Sequence, residues 1–175
     1  MTRAQKSKLD PASMVAEVID NIRRVFQVVN EQSKLAEKST GITGPQLWAI
    51  KTIAECAPIK GAELARRMYL HPTTIVGIVD RLEARGLVSR TRSKVDRRIV
   101  EVELTEQGKE LVMNSPDVAQ GLLVKGLETL PVEKLVRISE GLEELVEMLG
   151  AKELAPVLLL STEVNVPGKR KKRKR

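Results

Sequence analysis

The chain has 175 residues, a formal net charge of +7 and an aromatic content of only 2%, with Phe26, Trp48 and Tyr69 one of each kind. That length suits one domain with a substantial core, which must be aliphatic, and one cysteine excludes an intramolecular disulfide framework and fits a reducing compartment. The polar start MTRAQKSKLD and the short apolar run Ala155 to Leu160 argue against a signal peptide and a membrane span, so no membrane partner is expected and the expected location is cytoplasmic. Charge is unevenly spread: residues 109–168 carry 5 cations and 10 acids, whereas 169–175 carry 7 cations and no acid.

In chain order, residues 1–10 read as a flexible N-terminus, and Asp10-Pro11 starts a helix whose Val15, Val18, Ile19, Ile22, Val25, Phe26 and Val29 keep a 3.6-residue period to about Lys38. Thr43-Gly44-Pro45-Gln46 has capping-box spacing with proline inside it, so a second helix carrying Leu47, Trp48, Ile50, Lys51 and Ile53 begins there. Pro58 and Gly61 separate it from a short third helix whose apolar face is Leu64, Ala65 and Met68. His71-Pro72 opens a fourth, from 72 to about 85, with Ile75, Ile78, Val79 and Leu82 on one face and Gly86 as its stop.

After Gly86 the period changes to two. Leu87 to Arg92 pairs with Val100, Val102 and Leu104, which alternate with Glu101 and Glu103, and Ser93 to Arg98 forms a polar, cationic tip. Residues 81–98 hold seven Lys or Arg against two acids, a surface suited to phosphate. Two short helices running into a basic hairpin read as a winged helix-turn-helix, spanning about 44–105. Thr105 caps a further helix, and Ser115-Pro116-Asp117 is itself a start signal, so either one kinked helix or two abutting ones run to Leu130. From Pro131, Leu135, Ile138, Leu142, Leu145 and Leu149 form nearly a heptad seam opposite Glu140, Glu143, Glu144 and Glu147, and such a seam calls for a partner helix. Residues 151–175 read as a flexible linker, from Leu154 to Gly168, followed by a disordered polybasic tail.

The run Leu82-Glu83-Ala84-Arg85-Gly86-Leu87-Val88-Ser89-Arg90, then Asp96-Arg97-Arg98, then Leu104-Thr105-Glu106-Gln107-Gly108 resembles the MarR family of bacterial transcriptional regulators, whose wing carries Asp-x-Arg, a strand and Leu-Thr-x-x-Gly. The resemblance covers about residues 10–150 and is most specific from 64 to 108. It implies a mainly α fold with a small β-hairpin wing (α+β), a MarR-like domain over 11–150, and dimerisation helices at about 11–38 and 106–149. It further implies a homodimer on double-stranded DNA, usually a repressor of an inverted-repeat operator, with a small-molecule effector of unknown identity between the dimer helices and the DNA-binding lobe.

Carried onto this sequence, Arg98 is the motif arginine that reaches the minor groove, and Asp96 holds the wing through an ion pair. Lys94 and Arg97 are placed for phosphate. On the recognition helix Thr73, Thr74 and Arg81 supply base contacts, and Gly77 lets the helix sit closer to DNA. The chain departs from the family's pattern at His71, where a serine cap is common, and at Val76 and Gly77, where a polar or arginine pair is common. Direct readout is therefore expected to be thin, with shape readout through the wing more important.

The tail residues Lys169, Arg170, Lys171, Lys172, Arg173, Lys174 and Arg175 are expected to add nonspecific phosphate affinity. Cys56 reads as a buried free thiol and His71 as a helix-start residue; the first helix lacks the cysteine with which some members of the resembled family sense peroxide. No zinc site, nucleophile–base pair or glycine-rich phosphate loop is legible, so neither catalysis nor a cofactor or metal is expected. The alternatives are an architectural DNA binder dominated by wing and tail, or a winged-helix module that binds another protein.

Overall fold

The computed structural model describes residues 10–158 except 94, 95 and 97. Its described elements run α1 (Pro11–Thr40), α2 (Gly44–Cys56), β1 (Ile59–Lys60), α3 (Gly61–Arg67), α4 (Pro72–Ala84), β2 (Val88–Arg92), β3 (Val100–Leu104), α5 (Glu106–Met113), α6 (Ala119–Glu128) and α7 (Val132–Met148). This is the expected mainly α architecture with a small sheet. Proline lies in the first turn of α1, α2 and α4, where its missing N–H costs nothing. The capping box of α2 forms, with Gln46 Oε1 accepting from the Thr43 N–H at 3.4 Å.

The core is aliphatic. Ile42, Leu47, Ile50 and Ile53 of α2 and its approach meet Leu64 and Met68 beside α3, Ile75, Ile78 and Leu82 of α4, and Val88 and Val102 of the sheet. The sheet has the order β1-β3-β2 and is antiparallel, with Val88 opposite Leu104, Arg90 opposite Val102, and Ile59 opposite Val102 on the other edge. β1 has no counterpart among the expected elements, because two residues are too short to display a period. Along β3 only Val102 is buried, and Val100 at the wing end is exposed.

The packing explains the Leu-Thr-x-x-Gly motif. Thr105 Oγ1 donates to the Gly86 carbonyl at 2.6 Å and accepts from the Gly108 N–H at 3.1 Å, capping α5 while fastening it to the turn that ends α4. A Cβ on Gly108 would stand 2.0 Å from the Leu87 carbonyl oxygen, so only glycine lets α5 approach the base of the wing this closely.

Between Asn114 and Val118 the chain leaves the helix, so α5 and α6 are two helices and not one kinked helix. α1 extends to Thr40, two residues past the expected end, and stops where Gly41 turns left-handed. Only Val29 and Ala36 of α1 are buried and no residue of α7 is, which leaves Val15, Val18, Ile19 and Phe26 on one helix and Ile138, Leu142 and Leu149 on the other uncovered. The reading of Leu154 to Gly168 as a free linker needs correction over its first part: the chain returns after α7 and buries Leu158 to 8% exposure in the core cluster. There Pro156, Val157 and Leu158 share a small cavity with Pro45, Trp48 and Leu70, because an apolar segment beside an open aliphatic cleft gains by closing it. The remainder of that segment and the tail, 159–175, lie outside the described residues.

Candidate nucleic-acid interface

The helical period divides α4 cleanly. Thr74, Ile75, Ile78, Val79 and Leu82 face the core, and Thr73, Val76, Asp80 and Arg81 are exposed on the opposite stripe, with half-buried Gly77 among them. Thr74, expected to contact bases, is 8% exposed and lies on the core side, so its position argues for packing over base reading. Thr73 and Thr74 are adjacent in sequence, but neighbours on a helix point about 100° apart.

At the N-terminus of α4, His71 fills the capping role. Its Nδ1 accepts from the Thr73 N–H at 3.3 Å, and with Nδ1 thereby an acceptor, the Thr73 hydroxyl donates to it at 2.7 Å. The histidine thus replaces the serine cap. The Arg81 guanidinium lies beside Gly77, 3.9 Å from where a Cβ would stand.

Two cations in the basic run serve the fold. Arg90 of β2 donates from Nη2 to Asp80 at 2.5 Å and from Nη1 to Glu83 at 2.6 Å, joining the C-terminal half of α4 to the wing and compensating both acids. Arg85 donates from Nη1 to the Gly41 carbonyl at 2.6 Å, tying the end of α4 to the end of α1. The count of seven cations over 81–98 therefore overstates the charge facing outward. What sequence could have offered for Arg90 is its sign: a cation just past a helix whose acids stand three residues apart.

The wing is shaped by backbone hydrogen bonds. The Ser93 N–H donates to the Ile99 carbonyl and the Ile99 N–H to the Asp96 carbonyl, both at 2.9 Å. The Asp96 carboxylate accepts from the Arg98 backbone N–H at 2.9 Å, an Asx-type turn that shapes the wing tip. Both side chains are exposed at the tip. Lys94 and Arg97 lie outside the described residues.

The helix-turn-helix is braced from behind. Tyr69, in the turn with φ of 52°, donates from its hydroxyl to Glu128 of α6 at 2.9 Å. On α3, Glu63 accepts from Arg66 and Arg67 at 2.7–2.9 Å, and hydrogen bonding to Arg66, ahead of that to Arg67, holds its carboxyl down at about 2. Cys56 is half-buried against the core as a free thiol, less enclosed than expected. Among the described residues no helix is long and apolar enough to cross a membrane.

Residues 42–100 match the family profile described as "MarR family". The chain is 26% identical over 95 residues to the HTH-type transcriptional repressor MdtR of Bacillus subtilis (strain 168), a match covering 54% of this chain and 61% of that relative. It is 30% identical over 124 residues to the organic hydroperoxide resistance transcriptional regulator of the same organism, covering 71% of this chain and 83% of the relative. Its fold is similar to the crystal structure of a MarR family protein from Bacillus stearothermophilus, with a TM-score of 0.50 and 26% identity over 81% of this chain and 99% of that one. With the winged helix-turn-helix, the wing motif and a match spanning most of a relative's length, this chain belongs to the MarR family of transcriptional regulators.

Proposed function

We propose that this regulator binds double-stranded DNA as a homodimer, laying α4 of each protomer in a major groove of an inverted-repeat operator and each wing along the flanking minor groove, and that it acts as a ligand-responsive repressor. The observation that carries this reading is the exposed α4 stripe of Thr73, Val76 and Arg81, continued by an exposed wing tip bearing Arg98. Hydrogen-bonding readout rests on Thr73 and Arg81, while Arg98, and with it Lys94 and Arg97, supplies minor-groove and phosphate contacts. The uncovered apolar stripes of α1 and α7 support a two-fold partner, since stripes of that length are costly to leave in water. An apolar groove of about 460 Å³ between α1 and α6, both in the dimerisation part of the chain, lined by Val25, Val28, Leu122, Leu123 and Leu127 and by Gln32, suits an aliphatic effector.

The experiment compares binding to the DNA upstream of the protein's own coding sequence with binding to random duplex across a salt titration. Preference for the upstream DNA, with competition by its inverted repeat, is the expected result; equal affinity for both overturns sequence-specific regulation. Removal of residues 169–175 is expected to weaken random-DNA binding and flatten the salt slope while the preference survives.

A further inference from the structure

We propose that Val76 is a specificity-determining residue that reads the 5-methyl group of a thymine in each operator half-site, with Gly77 providing the close approach that contact needs. The inference rests on the DNA-binding reading above and names what the centre of the recognition helix recognises.

A single exposed aliphatic residue is ordinary on a protein surface. Val76 is distinguished by its place: it is 55% exposed in the middle of the stripe Thr73, Val76, Gly77, Asp80 and Arg81, flanked on one side by a threonine and on the other by an arginine. It is also the one large hydrophobic side chain of α4 that is exposed. A valine in a helix holds essentially one χ1 rotamer, so its two methyl groups are fixed before any contact and little entropy is given up in making one. Of the base edges in a major groove, only thymine presents a methyl group, and apolar side chains are its partners.

Gly77 strengthens the argument. Its φ lies outside the left-handed range, and a Cβ built there would meet only Arg81 Nη1, at 3.9 Å, an ordinary contact. Among the described residues nothing requires glycine at this position, although glycine costs a helix about 1 kcal/mol against alanine. The missing side chain therefore serves the outer side of the helix, where it lets the backbone next to Val76 come nearer to whatever the stripe faces. The neighbouring polar groups are held by partners within the chain, the Thr73 hydroxyl donating to His71 while its oxygen can still accept, and the Asp80 carboxylate accepting from Arg90.

The test uses the full chain and a duplex recovered by selection from random DNA. Each thymine of the recovered duplex is replaced in turn by deoxyuridine, which pairs identically but lacks the methyl group. The expected result is one symmetry-related thymine per half-site at which native protein loses about fourfold in affinity per methyl removed, the worth of one buried methyl group. Val76→Ala, at an exposed position where alanine favours the helix, is expected to fold normally and to discriminate less between the thymine and deoxyuridine duplexes than native protein does, since its shorter side chain loses most of the contact. Placing 5-methylcytosine for cytosine at the same position is expected to recover more affinity for native protein than for Val76→Ala. If native protein is indifferent to deoxyuridine at every position, or Val76→Ala keeps the same discrimination, the proposal is overturned while DNA binding stands. If selection enriches no sequence, sequence-specific binding itself fails and this inference with it.

Discussion

Substituting Gly77 by alanine separates what the helix needs from what the DNA needs, because the two effects have opposite signs. Within the protein the new methyl group has room: its nearest neighbour is Arg81 Nη1 at 3.9 Å, a flexible side-chain end at ordinary contact distance. Helix propensity then favours alanine by about 1 kcal/mol, which for a chain of this size raises the midpoint of thermal unfolding by roughly 2–4 °C. Against DNA the same methyl group projects from the exposed stripe beside Val76 and holds the helix away from the base edges. Loosening the close packing in both half-sites is expected to weaken operator binding by about tenfold or more. Circular dichroism melting at matched protein concentration measures the first effect, and fluorescence anisotropy with an operator duplex measures the second. A variant with raised stability and unchanged operator affinity refutes close approach at Gly77, and one with lowered stability refutes the account of free space around it.

Arg98→Ala is expected to lower operator affinity and to reduce the salt slope by about one for each phosphate that the arginine neutralises, whereas unchanged affinity across a salt titration would remove Arg98 from the interface. Glu63→Gln tests the α3 ion pairs by pH. The Glu63 carboxyl is held at about 2, below its ordinary value of 4.5, so its contribution to stability is complete above the ordinary value and is lost as pH falls toward 2. Native protein should therefore lose more thermal stability than Glu63→Gln between about pH 4.5 and 2, by a small margin since the group is exposed; parallel curves would contradict the pairing. Leu142→Glu, at a residue 56% exposed on α7, is expected to convert a dimer to a monomer in size-exclusion chromatography with light scattering and to abolish operator binding. A native chain that is itself monomeric at micromolar concentration would overturn the dimer.

The residues themselves determined most of the helices and the wing, because those signals are local. A proline at a helix start, a four-turn apolar period in α1 and the Leu104-Thr105-Glu106-Gln107-Gly108 run each carry their meaning within a few residues. The family was legible for the same reason: Gly108 and Thr105 fasten α5 to a turn only about twenty residues earlier, and that attachment tolerates few other side chains. What tertiary structure alone decided are the partners of polar groups and the side of a helix on which each residue falls. Thr74 reads like Thr73 until the fold buries the one and leaves the other exposed. Arg90 and Arg85 count toward a basic run in the sequence, and only the fold shows that Arg90 is bound by Asp80 and Glu83 of α4 and Arg85 by the Gly41 carbonyl. Leu158 belongs to a linker by composition and to the core by position, since burial depends on where α7 turns the chain back. Val76 and Gly77, which departed from the family's polar pair, became interpretable only when the fold put them at the centre of the exposed stripe with no contact among the described residues that calls for either one.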